Sequence, residues 1–195
     1  MIKINNVSWV IKCHPANLVK NRRDGTAVFS EIEVLKREFG ELPKNIKIIN
    51  PDSDISTLSL FSFIDGCITV RGTVGIEAAC FGIPVITAGT GRYDNLGFTY
   101  DSNNKAEYFK KLSNVGKLRR LTLKEKDLAI KFLYTSLISR TLKTELISFK
   151  FEKDNIASLK INMNHNKIPF KSDDVLTISK WLNENDEDLF NSKKL

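Results

Sequence analysis

Between Cys67 and Gly89 the chain reads CITVRGTVGIEAACFGIPVITAG: a β-branched run, a glycine-containing turn, a short stretch of small and apolar residues, Gly82, and a second β-branched run. That order predicts a strand over Cys67–Val70, a turn at Arg71–Thr73, a helix from about Val74 to Phe81 stopped by Gly82, and a strand over Pro84–Thr87. Strand, helix and strand in such close succession place the two strands parallel, with the helix on a face of the sheet. The turn then falls at the carboxyl edge of the strands, where open α/β folds bind ligands.

The same alternation extends in both directions. Val7–Cys13 (VSWVIKC) reads as a strand buried on both faces and ended by His14-Pro15. Val28, Ile32, Leu35 and Phe39 recur at helical intervals before Gly40, which predicts a helix over Thr26–Phe39. A strand at Ile46–Ile49 leads into the turn-rich Asn50–Asp54 and a brief helix over Ser56–Phe63. From Lys105 the pattern turns helical: Ala106–Val115, about Thr122 to Ser148, and about Asp173 to Phe190, with the polar Phe151–Lys171 left unassigned. The expected plan is an α/β domain over 1–117, a Rossmann-like parallel sheet with helices on both faces, followed by a helical C-terminal section over 118–195.

Composition narrows the class. A chain of 195 residues with 42% hydrophobic content can bury one sizeable core. Cys13, Cys67 and Cys80 share no CxxC spacing and sit in or beside apolar runs, so they read as reduced core residues of a cytoplasmic protein. No secretory leader and no bilayer-length apolar run is visible, so the expected location is cytoplasmic, or peripheral at the inner face of the cell membrane. The net charge of +7 is uneven: residues 1–100 carry 11 basic and 10 acidic side chains, residues 101–195 carry 19 and 13. Residues 110–143 hold ten Lys or Arg against Glu125 and Asp127. A helix there suits an anionic membrane surface, although a solvated face is the more ordinary account. Nucleic acid is not an expected partner, because no stacking or groove-reading motif accompanies the charge.

Four loops at the expected carboxyl edge hold the residues that could carry chemistry. In the first, around Arg71–Gly75, Gly72 and Gly75 let the backbone approach a ligand, Thr73 is placed to cap the helix, and the free amides of the first helical turn favour an anion such as a phosphate. Glu77, one turn further, could accept hydrogen bonds from vicinal hydroxyls; an ordinary helix start accounts for Thr73 and Glu77 equally well. In the second loop, His14 can donate to a phosphate oxygen, with Pro15 fixing its backbone and Lys12 one alternation away. The third holds Asp52, Ser53 and Asp54, where a plain turn is the simpler account. The fourth, Gly89-Thr-Gly91-Arg92-Tyr93, offers Arg92 to a phosphate or sugar carboxylate and Tyr93 as a hydroxyl or stacking face. No metal-ligand spacing appears, His165 having no spaced partner, and a metal-independent mechanism is expected.

Lys12-x-His14-Pro15, followed by Thr69-Val-Arg71-Gly72-Thr73-Val74-Gly75-Ile-Glu77-Ala-Ala-x-x-Gly-Ile-Pro-Val-Ile-x-x-Gly89, resembles the capsule polysaccharide biosynthesis glycosyltransferases over roughly Val7 to Tyr100. The resemblance implies a GT-B enzyme in which this chain is the C-terminal, donor-binding domain. It implies His14 as the His-Pro histidine at the donor phosphate, Arg71–Gly75 as the phosphate turn, and Glu77 as the ribose- or sugar-binding glutamate. His14 and Glu77 are therefore the candidate catalytic residues. Lys12, Asp52, Gly89, Gly91, Arg92 and Tyr93 complete the candidate donor site. The donor is a substrate rather than a cofactor, with a CMP-activated acidic sugar favoured over UDP- or GDP-sugars, and the acceptor is a glycan or glycolipid.

GT-B transferases normally carry an acceptor domain ahead of the first strand read here, so the expectation is a fragment, a split subunit partnered by an acceptor-domain polypeptide, or a relic that binds without catalysing. Two rival readings keep the fold: a UDP-N-acetylglucosamine 2-epimerase-like domain, and a non-catalytic binding or scaffolding module.

Overall fold

The computed structural model describes residues 4, 6–18, 25, 30–141, 147–152, 155–161 and 173–184. The chain divides into two compact units, Met1–Ala129 and Ile130–Leu195.

In the first unit the strands are β1 (Trp9–Lys12), β2 (Ile46–Ile49), β3 (Cys67–Thr69) and β4 (Val85–Thr87). The helices are α1 (Ser30–Phe39), α2 (Thr57–Leu60), α3 (Thr73–Cys80), α4 (Lys105–Ser113) and α5 (Leu123–Tyr134), the last running past the unit boundary, with a 3-10 turn at Val115–Lys117. The expected parallel pairing forms, in two separate ladders. β1 lies parallel to β2, with Trp9 opposite Ile46 and Lys12 opposite Ile49. β3 lies parallel to β4, with Cys67 opposite Val85 and Thr69 opposite Thr87. Among the described residues no ladder joins the two pairs, so the architecture is mixed α/β with two-stranded parallel sheets.

The β3–α3–β4 unit holds the core. Val85, Ile86, Ile83, Ala78 and Ala79 have no exposed surface. Burying a side chain such as Val or Ile contributes about 1.5–3 kcal/mol. The small residues of α3 let its backbone lie close on β3 and β4. Gly82 ends the helix at φ +76°: its amide donates to Ala79 O at 2.9 Å and that of Ile83 to Ala78 O at 3.0 Å. These two reversed bonds satisfy the last carbonyls and need the left-handed conformation that glycine adopts freely. Gly40 ends α1 with the same left-handed conformation, at φ +64°, and a single bond from its amide to Lys36 O.

Several expectations are corrected. β1 is not buried on both faces: Trp9 and Cys13 are buried but Val10 is 46% exposed. The helix expected from Thr122 to Ser148 ends at Tyr134, continues as a π-helical turn over Thr135–Ser139, and gives way by Ile147 to a strand. Besides these turns, the second unit contains the antiparallel pair β5 (Ile147–Glu152) and β6 (Asn155–Ile161), and α6 (Asp173–Glu184). The C-terminal section is thus not wholly helical. Ile147, Phe149 and Phe151 alternate with polar residues, a period-2 pattern that a helical reading overlooks. Thr26–Phe29 of the expected first helix lie outside the described residues, as does the expected end of the last helix beyond Glu184.

Candidate functional site

The turn between β3 and α3 is built by its own neighbours. Gly72, with φ −70° and ψ 146°, is the residue that enters the helix, and Thr73 is the first residue inside it. Thr73 therefore does not cap the helix as expected. No side chain caps the helix itself; the turn into it is held from behind, where Thr69 Oγ1 accepts from the Gly72 amide at 3.2 Å. Gly75 N–H closes onto Gly72 O at 3.1 Å. The amides of Thr73 and Val74 have no acceptor among the described residues, which is the usual state of a helix's first donors.

The loop after β4 folds over this turn. Ala88 N–H donates to Thr69 O at 2.9 Å, and Arg71, an exposed residue, donates from Nε to Thr90 O at 2.9 Å. Tyr93 is 2% exposed, and its hydroxyl donates to Gly72 O at 2.8 Å. Burial, with Cys67 and Asp101 nearby, pushes the phenol up to about 12, so it stays a neutral donor. The side chain supports the 71–75 turn from beneath rather than presenting a stacking face to solvent. Gly75 is needed for this: a Cβ there would lie 2.9 Å from Thr69 Cγ2 and 3.0 Å from the Tyr93 ring. Gly89, at φ +105°, starts the loop in a conformation that side chains rarely adopt. Gly91 packs beside Arg71 and donates to Asp94 Oδ1 at 2.8 Å, and Arg92 is exposed beside it.

Glu77 is half-buried on α3, close enough to the thiols of Cys67 and Cys80 to raise both. Burial, reinforced by Glu77, pushes Cys67 up to about 11. Burial also raises Cys80 and Cys13, so all three cysteines are free thiols held in their neutral form.

His14 follows β1 beside the loop after β2. Cys13 N–H donates to Ile49 O at 3.0 Å, and Lys12 Nζ donates to Ile55 O at 2.9 Å, tying Lys12 to the 50–55 loop. His14 is exposed, and its Nδ1 accepts from the Ala16 amide at 3.0 Å. An accepting Nδ1 fixes the tautomer with the proton on Nε2, leaving Nε2–H as an outward donor. Buried Asn17 donates to Glu31, which anchors this turn to α1. Asp52 is exposed in the neighbouring loop, where Ser53 N–H donates to Asn50 O at 3.2 Å.

The candidates thus fall on two tied pairs of segments: the 71–75 turn, joined to Gly89–Tyr93 through Arg71 and Gly72, and the end of β1 with His14, joined to the Asp52 loop through Lys12. No hydrogen bond joins the groups among the described residues. No group of three His, Cys, Asp or Glu among the described residues could hold a metal ion. A recess lined by Lys36, Gly40, Glu41, Leu42 and Ile48 lies by the entry to β2, apart from both groups.

Two supporting residues escape a sequence reading. Asp101 accepts from Thr87 Oγ1 at 2.8 Å, Thr99 Oγ1 at 2.7 Å and the Asn95 amide at 2.9 Å, closing the 88–101 loop onto β4. Thr69 holds the turn three residues ahead. A Thr-x-x-Gly step into a helix and an Asp two residues after Thr are weak signals, recognisable once the partners are known.

Residues 5–134 match the family described as Capsule polysaccharide biosynthesis protein. Among solved structures the chain is similar to Thermosulfurimonas dismutans KpsC, beta Kdo 2,4 transferase, at 19% identity and a TM-score of 0.33. The match covers 64% of this chain and 44% of that one, so the chain spans less than half of that protein's length. No curated protein sequence matches the chain.

Proposed function

The chain belongs to the capsule polysaccharide biosynthesis protein family, and on that premise we propose that it is the donor-binding half of a nucleotide-sugar-dependent glycosyltransferase acting on capsular or surface polysaccharide in the cytoplasm. The fold in this reading is the Rossmann-like C-terminal domain of a GT-B enzyme, and the donor is a CMP-activated acidic sugar. The observation that carries it is the first turn of α3, where the amides of Thr73 and Val74 have no acceptor among the described residues and follow the cation Arg71 on a turn clamped by Thr69 and Tyr93, with Arg92 exposed in the loop that folds over it.

Such a turn suits the leaving phosphate. As the bond from the anomeric carbon to the phosphate oxygen breaks, its electron pair moves to that oxygen. Fixed donors already aimed there meet the new charge without reorganising. Arg71 and Arg92 add charge, and His14 adds the Nε2 proton. Glu77 accepts from donor hydroxyls. The acceptor hydroxyl forms the new bond to the anomeric carbon and gives up its proton to a base on the acceptor side of the cleft, which in this reading belongs to another domain or polypeptide.

Calorimetric titration of the full chain with CMP, UDP and GDP tests the reading. Selective CMP binding, weakened in Thr73→Pro, is the expected result. Proline is accepted at the first helical position and removes only the Thr73 amide. Gly72 already has the extended backbone that precedes a proline. Absence of binding to all three nucleotides at millimolar concentration would count decisively against a donor site.

A further inference from the structure

At the end of the β3–β4 pair opposite the phosphate-side turn, three segments are tied together. Leu121 N–H donates to Gly82 O at 2.9 Å, ahead of β4. Arg120 donates to Ile64 O at 3.2 Å, ahead of β3. The rings of Phe61 and Phe81 pack at 5.2 Å. Each of the three tied segments carries a large apolar side chain that the fold leaves in solvent: Leu123, 86% exposed, Phe63, 83% exposed, and Phe81, 57% exposed. Around them, residues 117–126 carry Lys117, Arg119, Arg120, Lys124 and Lys126 against Glu125, with Asp65 the further carboxylate at Arg120.

From this juxtaposition we infer that the amino end of the β3–β4 pair docks on an anionic lipid bilayer, Phe63, Phe81 and Leu123 entering the headgroup region and the surrounding cations facing the lipid charge. Side chains this exposed are apolar surface that a headgroup layer covers at little loss, and interfacial binding scales with such area plus attraction to anionic lipid. Five cations against two carboxylates leave an excess of about three, each worth roughly a fivefold gain in partition on an anionic surface. The excess is sign-matched to lipid, and among the described residues no stacking or groove-reading arrangement points to nucleic acid. A protein wall closing over the 71–75 turn would meet the carboxyl end of the strands, which this surface leaves open. The inference rests on the exposed residues and not on the donor-site reading.

Co-sedimentation of the full chain with vesicles of phosphatidylcholine alone, or mixed with phosphatidylglycerol, tests it. The expected result is binding to the mixed vesicles about a hundredfold tighter than to phosphatidylcholine, weakening with salt, and lowered at least tenfold by Phe63→Ser with Leu123→Ser at unchanged circular dichroism. Should that pair disturb the fold, Lys117→Gln with Lys124→Gln provides the second variant, expected to lower binding about twentyfold. The inference is overturned by no sedimentation with mixed vesicles, by equal binding to both vesicle types, by binding indifferent to both variant pairs, or by a self-association that the Phe63–Leu123 pair abolishes.

Discussion

The hydroxyl of Tyr93 donates to the carbonyl of Gly72 across 2.8 Å, and the same carbonyl receives the amide of Gly75 at 3.1 Å, so a residue from the loop after β4 fixes the entry to α3. The Tyr93 ring occupies the space over Gly75 that any side chain there would need. Loop and helix start are therefore one mechanical unit, and the direction of the Thr73 and Val74 amides depends on a residue twenty positions away.

Gly75→Ala is expected to destabilise the protein by about 1–3 kcal/mol, the usual range for overpacking. Tyr93→Phe loses one buried hydrogen bond, about 1 kcal/mol. Because the phenol oxygen is itself part of the clash, the double variant is expected to be more stable than the sum of the two losses allows. Urea denaturation of all four proteins measures that coupling.

Asp101→Ala leaves Thr87, Thr99 and Asn95 without their acceptor. A loss of about 1–3 kcal/mol is expected. Amide exchange over 88–100 accelerates while that of Ala78 and Ala79 holds at mild denaturant concentrations. Uniform acceleration across both regions would show that the carboxylate supports the whole core rather than the loop.

His14→Ala is expected to weaken nucleotide binding about ten- to a hundredfold, since it removes the outward Nε2 donor. His14→Gln, which retains a side-chain donor, should recover part of the loss. Calorimetry on the three proteins decides, and equal affinities would remove His14 from the site.

The start of α5 supplies a pH-dependent contribution. Arg119 holds Glu125 with two bonds of 2.7 Å, and the amide and hydroxyl of Thr122 add two more, bringing the carboxyl down to about 2 from its usual 4.5. A depressed carboxyl stabilises the fold above the unfolded value and loses that contribution as pH falls through the folded one. The gap in melting temperature between the parent and Glu125→Gln should thus be constant above about pH 5 and close between 4.5 and 2. A gap unchanged at pH 2 would mean that the ion pair contributes nothing.

Native-state labelling by a thiol reagent at pH 8 should be slow at Cys67, which burial and Glu77 push up to about 11, and fast in denaturant. Rapid labelling of Cys67 in the folded chain would place it at the surface.

The elements around the candidate site were legible because their signals are local. Residues 67–87 alternate β-branched runs with a small-residue helix between glycines, and the structure places β3, α3 and β4 within a residue or so of those limits. Ile46–Ile49 is bounded as expected, and Gly40 and Gly82 stop their helices through the positive φ that glycine alone adopts without strain. The helix end at Tyr134 and the β5–β6 pair were not legible in the same way. Apolar residues continue at helical spacing past Tyr134, at Leu137 and Ile138, and the alternation of Ile147, Phe149 and Phe151 is too short to fix a strand without the partner it pairs with.

Sequence by itself determined the parallel β–α–β unit, the identity of the turn that could meet a phosphate, and the residues that resemble a sugar-transfer family, since each depends on neighbours along the chain. Only the tertiary structure decided that Thr69 and not Thr73 holds the turn, that Tyr93 is a buried strut and not a ligand-facing ring, and that Asp101 closes the loop. A hydroxyl or carboxylate can serve several partners within reach, and which one it takes is set by the packing that brings Gly72 under Tyr93 and Thr87 beside Asp101.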